Sequence, residues 1–173
     1  AVQTPHEERY EGITPLPYER VDFNYEYLLK AFKSVSDEAL KQKKEIVVVV
    51  ISTVLPGTFR NKIVPLSNKY IKLCYNPFFI AMGTTMPDYL NPEFVLFGVW
   101  DNDAANKAEL FYKSIHKKPF YKTAVENAEL IKVTYNTFIG MKIAFANTVM
   151  EICHNTPGSN VDEVTNALKM ATH

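Results

Sequence analysis

The chain has 173 residues, of which 47% are hydrophobic, 13% aromatic and 22% charged, a balance that supports a folded core and excludes a disordered or low-complexity polymer. Nineteen Lys and Arg balance nineteen Asp and Glu, so no basic field exists to neutralise a nucleic-acid backbone or an anionic membrane surface. The six scattered glycines form no G-x-G-x-x-G, Walker A or G-x-S-x-G motif within these residues.

A polar stretch marked by Pro15 and Pro17 precedes a helix whose Leu28, Phe32, Val35 and Ala39 recur at helical spacing between about Asp22 and Lys44. Ile46-Val-Val-Val-Val-Ile51 is uniformly apolar and mostly β-branched, as in a strand buried on both faces of a helix-covered parallel sheet. Pro56-Gly57-Thr58 then turns the chain into a short helix from Phe59 to Ser67. Ile71 to Tyr75 and Phe94 to Gly98 are the next strands, and Asp101 or Asn102 caps a helix running to about Ile115. This alternation predicts an α/β sheet of right-handed crossovers.

From Thr123 the pattern changes. Thr123 and Glu126 spell a T-x-x-E capping box, and helical periodicity continues to about His154, where Asn155-Thr-Pro-Gly158 ends it. Such a helix is roughly 45 Å long at about 1.5 Å per residue, a length suited to joining two domains or forming a subunit interface. Asn160 and Glu163 start a further helix.

In open α/β sheets ligands bind beyond the carboxyl ends of the strands. Three such ends are polar or proline-marked: Thr4-Pro5, Ser52-Thr53 and Asn76-Pro77. Each is also an ordinary loop opening. On the long helix Ile131, Tyr135, Phe138, Met141, Phe145, Val149 and Ile152 form an apolar stripe, while Lys132, Asn136 and Asn147 fall elsewhere. Lys132 and Asn136 are i,i+4 neighbours with Gly140 one turn on, and together they suit donation to an oxyanion or a sugar hydroxyl. The plainer alternative is a solvated lysine beside a surface asparagine. Cys74 and Cys153 form no C-x-x-C pair and read as small buried residues in a reducing compartment. His6, His116 and His154 lack ligand spacing, so no metal is expected. No apolar run reaches the roughly 18 residues that cross a bilayer, and the first residues lack the shape of a signal peptide.

The ordered tracts Val2-Gln-Thr-Pro5, Val50-Ile-Ser-Thr-Val-Leu-Pro-Gly-Thr58, Tyr75-Asn-Pro-Phe-Phe79, Gly83-Thr, Asp88-Tyr-Leu-Asn-Pro92 and Ala128-Glu-Leu-Ile-Lys-Val-Thr-Tyr-Asn-Thr-Phe138 resemble the nucleotide-sugar dehydrogenase family. The resemblance covers nearly the whole chain. It implies that residues 1–122 are the C-terminal portion of an NAD-binding Rossmann-like domain with a mainly parallel sheet and flanking helices. Residues 123–173 then supply a long connecting and dimerisation helix and the start of a central helical domain. It also implies NAD as cofactor, held by Thr4, Pro5, Ser52 and Thr53, with Thr53 also near the reacting centre. Lys132 would stabilise the developing oxyanion and Asn136 would hold the sugar or a catalytic water. The substrate, a UDP- or GDP-sugar, would meet Asn76, Phe78, Phe79, Ile80, Lys132 and Asn136. A homodimer through the 124–154 helix and a cytoplasmic location complete that expectation.

Two departures stand out. Where the family has N-P-E-F-L-x-E-G, this chain has Asn76-Pro-Phe-Phe-Ile-Ala-Met-Gly83, so Phe78 and Met82 replace carboxylates. The first of these assists hydrolysis of the enzyme-bound thioester in the family, and a phenylalanine can neither orient water nor move a proton. Phe94 stands where the family commonly has arginine, and its position after Asp88 sets Glu93 apart from the catalytic glutamate. The family's glycine-rich loop and nucleophilic cysteine are expected upstream of Ala1 and downstream of His173, leaving this segment inactive by itself. The alternatives are a non-catalytic nucleotide-sugar-binding or dimerisation module of the same descent, and a different NAD-linked enzyme such as a hydroxyacid dehydrogenase.

Overall fold

The apolar run after Glu45 forms strand β1 (Ile46–Val50), which pairs in parallel with β2 (Ile71–Tyr75), Ile46 opposite Ile71 and Val50 opposite Tyr75. The computed structural model describes residues 2–7 and 19–171; Ala1, the proline-marked stretch and the last two residues lie outside them. The sheet runs in the order β1-β2-β3-β4, with β3 (Val95–Val99) antiparallel to β2 and β4 (Phe120–Ala124) parallel to β3. Two of the three pairings are therefore parallel, and the expected α/β class holds. The antiparallel step departs from the expected crossovers. Between β2 and β3 the only helix is the short α2 (Thr85–Leu90), which is too short to cover a sheet face and carry the chain back for parallel pairing.

Helix α1 (Glu26–Gln42) starts later than its periodicity suggests. Asp22 Oδ1 accepts from the Phe23 amide at 2.9 Å and the Tyr25 hydroxyl at 2.6 Å, while Asn24 Oδ1 accepts from the Glu26 amide. These side chains offer the backbone a turn in place of a helix. The Phe59 to Ser67 segment is a π-helical turn, Phe59–Ile63, followed by a 3-10 turn, Val64–Leu66. Pro65 lacks the N–H that a regular helix would use there. Helix α3 (Asn102–Lys113) is capped as expected, Asp101 accepting from the amides of Asp103 and Ala104.

Strand β4 was not legible as a strand, because Phe-Tyr-Lys-Thr-Ala is short, polar in part and half-exposed at the sheet edge. It carries Thr123, so helix α4 begins at Val125 and runs to His154. Glu126, the expected box partner, pairs with Arg60 Nε at 2.6 Å.

The chain forms two compact units, Ala1–Val133 and Thr134–His173, with α4 contributing to both. In the first unit, alternate strand residues enter two cores. Leu28, Phe32 and Ala39 of α1 and Val125 and Ala128 of α4 pack on Val50, Leu73, Tyr75 and Leu96. On the other face Ala104, Ala105, Ala108 and Tyr112 of α3 pack on Cys74, Val95 and Phe97. Burial on both faces explains the absence of polar alternation in the strands. In the second unit α5 (Val161–Leu168) follows its Asn160 cap, and Phe138, Met141, Phe145 and Ile152 of the α4 stripe are exposed.

Gly98 sets how closely α4 lies on the sheet. A Cβ there would sit 2.9 Å from Ala128 Cβ and 3.0 Å from Val125 Cα, closer than carbon atoms tolerate. Gly98→Ala should cost about 1–3 kcal/mol through overpacking, read as a lower urea midpoint with an unchanged slope. Wild-type stability would contradict the close approach.

Candidate functional site

The site is assembled around the carboxyl end of β1. The buried Ser52 hydroxyl donates to the Val2 carbonyl at 2.6 Å and accepts from the Val2 amide at 3.1 Å. Thr4 Oγ1 donates to the Thr53 carbonyl at 2.8 Å, and the Pro5 carbonyl accepts from the Asn24 amide. The Asn76 amide donates to the Val50 carbonyl at 2.8 Å. The Thr4-Pro5 and Ser52-Thr53 segments therefore meet, although residues 2–7 form no regular strand, and Asn76-Pro77 starts at the Val50 end of β1.

The turn that follows is held from two directions. Val54 and Phe59 are fully buried. The Tyr25 hydroxyl accepts from the Leu55 amide at 3.1 Å and from Thr58 Oγ1 at 3.2 Å while donating to Asp22. Burial, with Asp22 beside it, pushes the Tyr25 phenol up to about 12, which keeps it a donor to that carboxylate. From the other side the fully buried Glu129 carboxylate accepts from the Gly57 amide at 2.6 Å and the Phe59 amide at 2.7 Å. Burial raises its pKa, and the two amide hydrogen bonds oppose that rise.

Val125, Ala128, Glu129 and Lys132 are the buried residues of α4. Their i, i+3, i+4, i+7 spacing is that of one docked helix face. The sequence reading followed the apolar stripe through Ile131 and Tyr135 and so missed Glu129. The available signal was a charged residue at docking-face spacing from Lys132. Lys132 is itself only 6% exposed, which removes the solvated-lysine alternative. Its ammonium lies 5.0 Å from the centre of the Phe79 ring, within reach of a cation–π attraction, and burial lowers its pKa. Asn136 is exposed and belongs to the second unit.

The remaining positions divide between the two cores. Phe79 packs against Phe94 at 4.9 Å between ring centres. Phe78 points into the α3 side, edge-on to Tyr89 at 5.5 Å and Tyr112 at 6.0 Å. Phe78, Phe79 and Ile80 line one narrow cavity with Tyr89, Tyr112 and His116, and Lys132 is not in its wall. The Asn76 side chain is fully buried and donates to the Leu96 carbonyl at 2.8 Å. Met82 is fully exposed. Cys74 is buried and its thiol is pushed up to about 12 by desolvation, the state of an inert core cysteine.

Residues 1–116 match the family model of the UDP-glucose/GDP-mannose dehydrogenase family, NAD binding domain, and residues 126–173 match the central domain of the same family. The chain belongs to this family. It is 28% identical over 140 residues to UDP-glucose 6-dehydrogenase of Rickettsia conorii, covering 80% of this chain and 31% of that protein. It is 35% identical over 123 residues to GDP-mannose 6-dehydrogenase of Pseudomonas aeruginosa, covering 66% and 28%. The fold superposes on a ternary complex of GDP-mannose dehydrogenase from P. aeruginosa with a TM-score of 0.85 at 26% identity, covering 99% of this chain and 38% of that one. It superposes on a UDP-glucose dehydrogenase from Pyrobaculum islandicum with a TM-score of 0.78 at 26% identity, covering 86% and 35%. The chain thus spans about a third of the length of these UDP-glucose/GDP-mannose dehydrogenase relatives.

The family's cofactor is NAD, and the strand-end residues suit part of it. The Ser52 hydroxyl is spent on Val2 and the Thr53 carbonyl on Thr4, so the Thr4, Ser52 and Thr53 positions present neutral groups and no cation, chemistry that fits ribose and carboxamide groups rather than a pyrophosphate. Among the described residues no three His, Cys, Asp or Glu side chains could together hold a metal ion.

Tyr25→Phe removes the acceptor for Leu55 and Thr58 in a buried place. It should cost about 1–3 kcal/mol, measured by chemical denaturation. An unchanged stability would show that the turn does not depend on this hydroxyl.

Proposed function

We propose that this chain carries the cofactor-side and oxyanion-side residues of an NAD-dependent nucleotide-sugar 6-dehydrogenase, acting on the C6 alcohol of a UDP- or GDP-sugar. The observation that supports this most is Lys132, an ammonium buried on the docked face of α4 within the same unit as the converging strand ends. Desolvating a cation is costly, and a fold that keeps one there can use it to stabilise developing negative charge on oxygen.

NAD, when bound, accepts hydride from the alcohol carbon. Thr4, Pro5, Ser52 and Thr53 line its side of the site, with Ser52 and Thr4 acting by fixing the backbone of 2–5 against 52–53. Lys132 donates a hydrogen bond to the substrate oxygen that gains negative charge. Asn76 acts from within the fold, its amide holding the start of the Phe78 to Ile80 segment to β3. Phe79 flanks the lysine, and Phe78 and Ile80 shape the neighbouring apolar wall. Asn136 follows Lys132 at i+4 and enters the proposal on the family resemblance alone. The exposed apolar residues of α4 support a homodimer built on residues 124–154, and residues 1–122 and 123–173 serve as the cofactor and connecting parts.

Phe78 favours a second reading. It lies between Tyr89 and Tyr112, where it gives no group to activate water. A binding or dimerisation module that has lost the hydrolytic step would show this feature. Assay of the natural protein with NAD and a panel of UDP- and GDP-sugars separates the two. NADH formation supports the dehydrogenase; binding of a nucleotide sugar without turnover supports the module. With Phe78 in place of the carboxylate, product analysis should show the aldehyde accumulating ahead of the acid, and stoichiometric acid would contradict this.

Lys132→Ala should lower kcat by about 100-fold or more, and full turnover would reject the assignment. Burial disfavours the ammonium, so Lys132 loses its proton below the ordinary lysine value of about 10.4. The oxyanion-stabilising form exists below that point, and kcat should fall as pH rises through it. The linkage has the opposite sign for stability: between the lowered folded pKa and the unfolded one the unfolded chain binds more protons, so stability rises with pH. A kcat profile flat up to the ordinary lysine range would contradict this role.

A further inference from the structure

Glu129 is a fully buried carboxylate with both oxygens engaged by backbone amides of a turn far away in sequence. Burying a carboxylate costs several kcal/mol, more than an apolar residue at a docking position would. What the carboxylate supplies is two acceptors on one rigid group. Gly57 and Phe59 bracket Thr58, whose hydroxyl bonds Tyr25, so the turn is clamped between the start of α1 and the first turns of α4. Gly98 fixes how deep α4 sits, through Ala128. Glu129, the next residue, fixes the helix rotation and its shift along its axis, because both of its contacts are directional. Lys132 follows one turn later on the same docked face, and Thr53 lies at the head of the clamped turn.

We propose that Glu129 is a positioning residue: its two-point grip on Gly57 and Phe59 sets the placement of Lys132 relative to Thr53, and turnover depends on that grip. This rests on the catalytic reading of Lys132 and Thr53 given above. A glutamine in place of Glu129 presents one acceptor and one N–H group, so one of the two amides would face a donor. An aspartate is one methylene too short to reach both.

The test is steady-state kinetics of the natural protein with NAD and whichever UDP- or GDP-sugar it turns over. Glu129→Gln should lower kcat by about 10–100-fold, the scale of a small misplacement of a reacting group, with KM for NAD changed by less than about threefold. A merely structural cap would lower the amount of folded enzyme and leave kcat per folded molecule alone. In the Lys132→Ala background the same substitution should cost far less than in the wild type, since residues acting through one another are not additive. An unchanged kcat in Glu129→Gln, or the same fold loss in both backgrounds, overturns the proposal while leaving Lys132 in place. Full turnover by Lys132→Ala alone overturns the site reading and this proposal together. If Glu129→Gln does not fold, hydrogen exchange of the wild-type protein decides. The amides of 57–59 and of 125–133 should open as one cooperative unit, and separate opening would overturn the proposal.

Discussion

The arrangement around β1 depends on a carboxylate that is buried without being left unsatisfied. Glu129 sits at 0% exposure and is tolerable there only because two amides at the start of the Phe59–Ile63 turn point at it. Those amides belong to the first residues of a helical turn, where N–H groups lack internal partners. The turn and the helix thus each supply what the other lacks. The turn has orphan donors, and α4 has an acidic side chain on its docked face. Remove either and a charge or several polar groups are left unpaired in the core. Lys132 follows Glu129 on the same docked face, and Thr53 precedes the turn that Glu129 holds.

Around it, hydroxyls work as fasteners before they can work as ligands. Ser52 both donates to and accepts from the backbone of Val2, and Thr4 holds the Thr53 carbonyl. These contacts bring a loop from the start of the chain alongside the end of β1 without a regular strand pairing. The aromatic residues after β2 divide by alternation: Phe79 faces Lys132 and Phe78 faces α3. Neighbouring positions in the segment therefore meet different partners, Phe79 a buried cation and Phe78 the rings of Tyr89 and Tyr112, while both border one cavity.

The second unit is built on a different principle. Its helices have sound local signals, with Asn160 accepting from the Asp162 and Glu163 amides, yet much of the apolar surface of α4 in this unit stays exposed. Apolar patches of this kind usually mark a surface used for association, and this agrees with the dimer proposed above.

Much of this protein was legible in its residues. The uniform Ile-Val run, the Asp101 and Asn160 caps, the helix to His154 and the short tracts that placed the family all rest on local chemistry, which acts within a few residues and can be read in chain order. Lys132 and the polar segments at Thr4-Pro5, Ser52-Thr53 and Asn76-Pro77 stood out for the same reason, although the first of these segments follows no regular strand. What tertiary structure alone decided was non-local. The antiparallel turn from β2 to β3, and the edge strand β4 in place of a helix start, depend on pairing partners distant in sequence. So do the closeness of α4 at Gly98 and the meeting of Glu129 with Gly57 and Phe59. A carboxylate in a helix reads as surface charge until the fold reveals which amides it faces, because burial and partner geometry are properties of the packed chain and not of the residue.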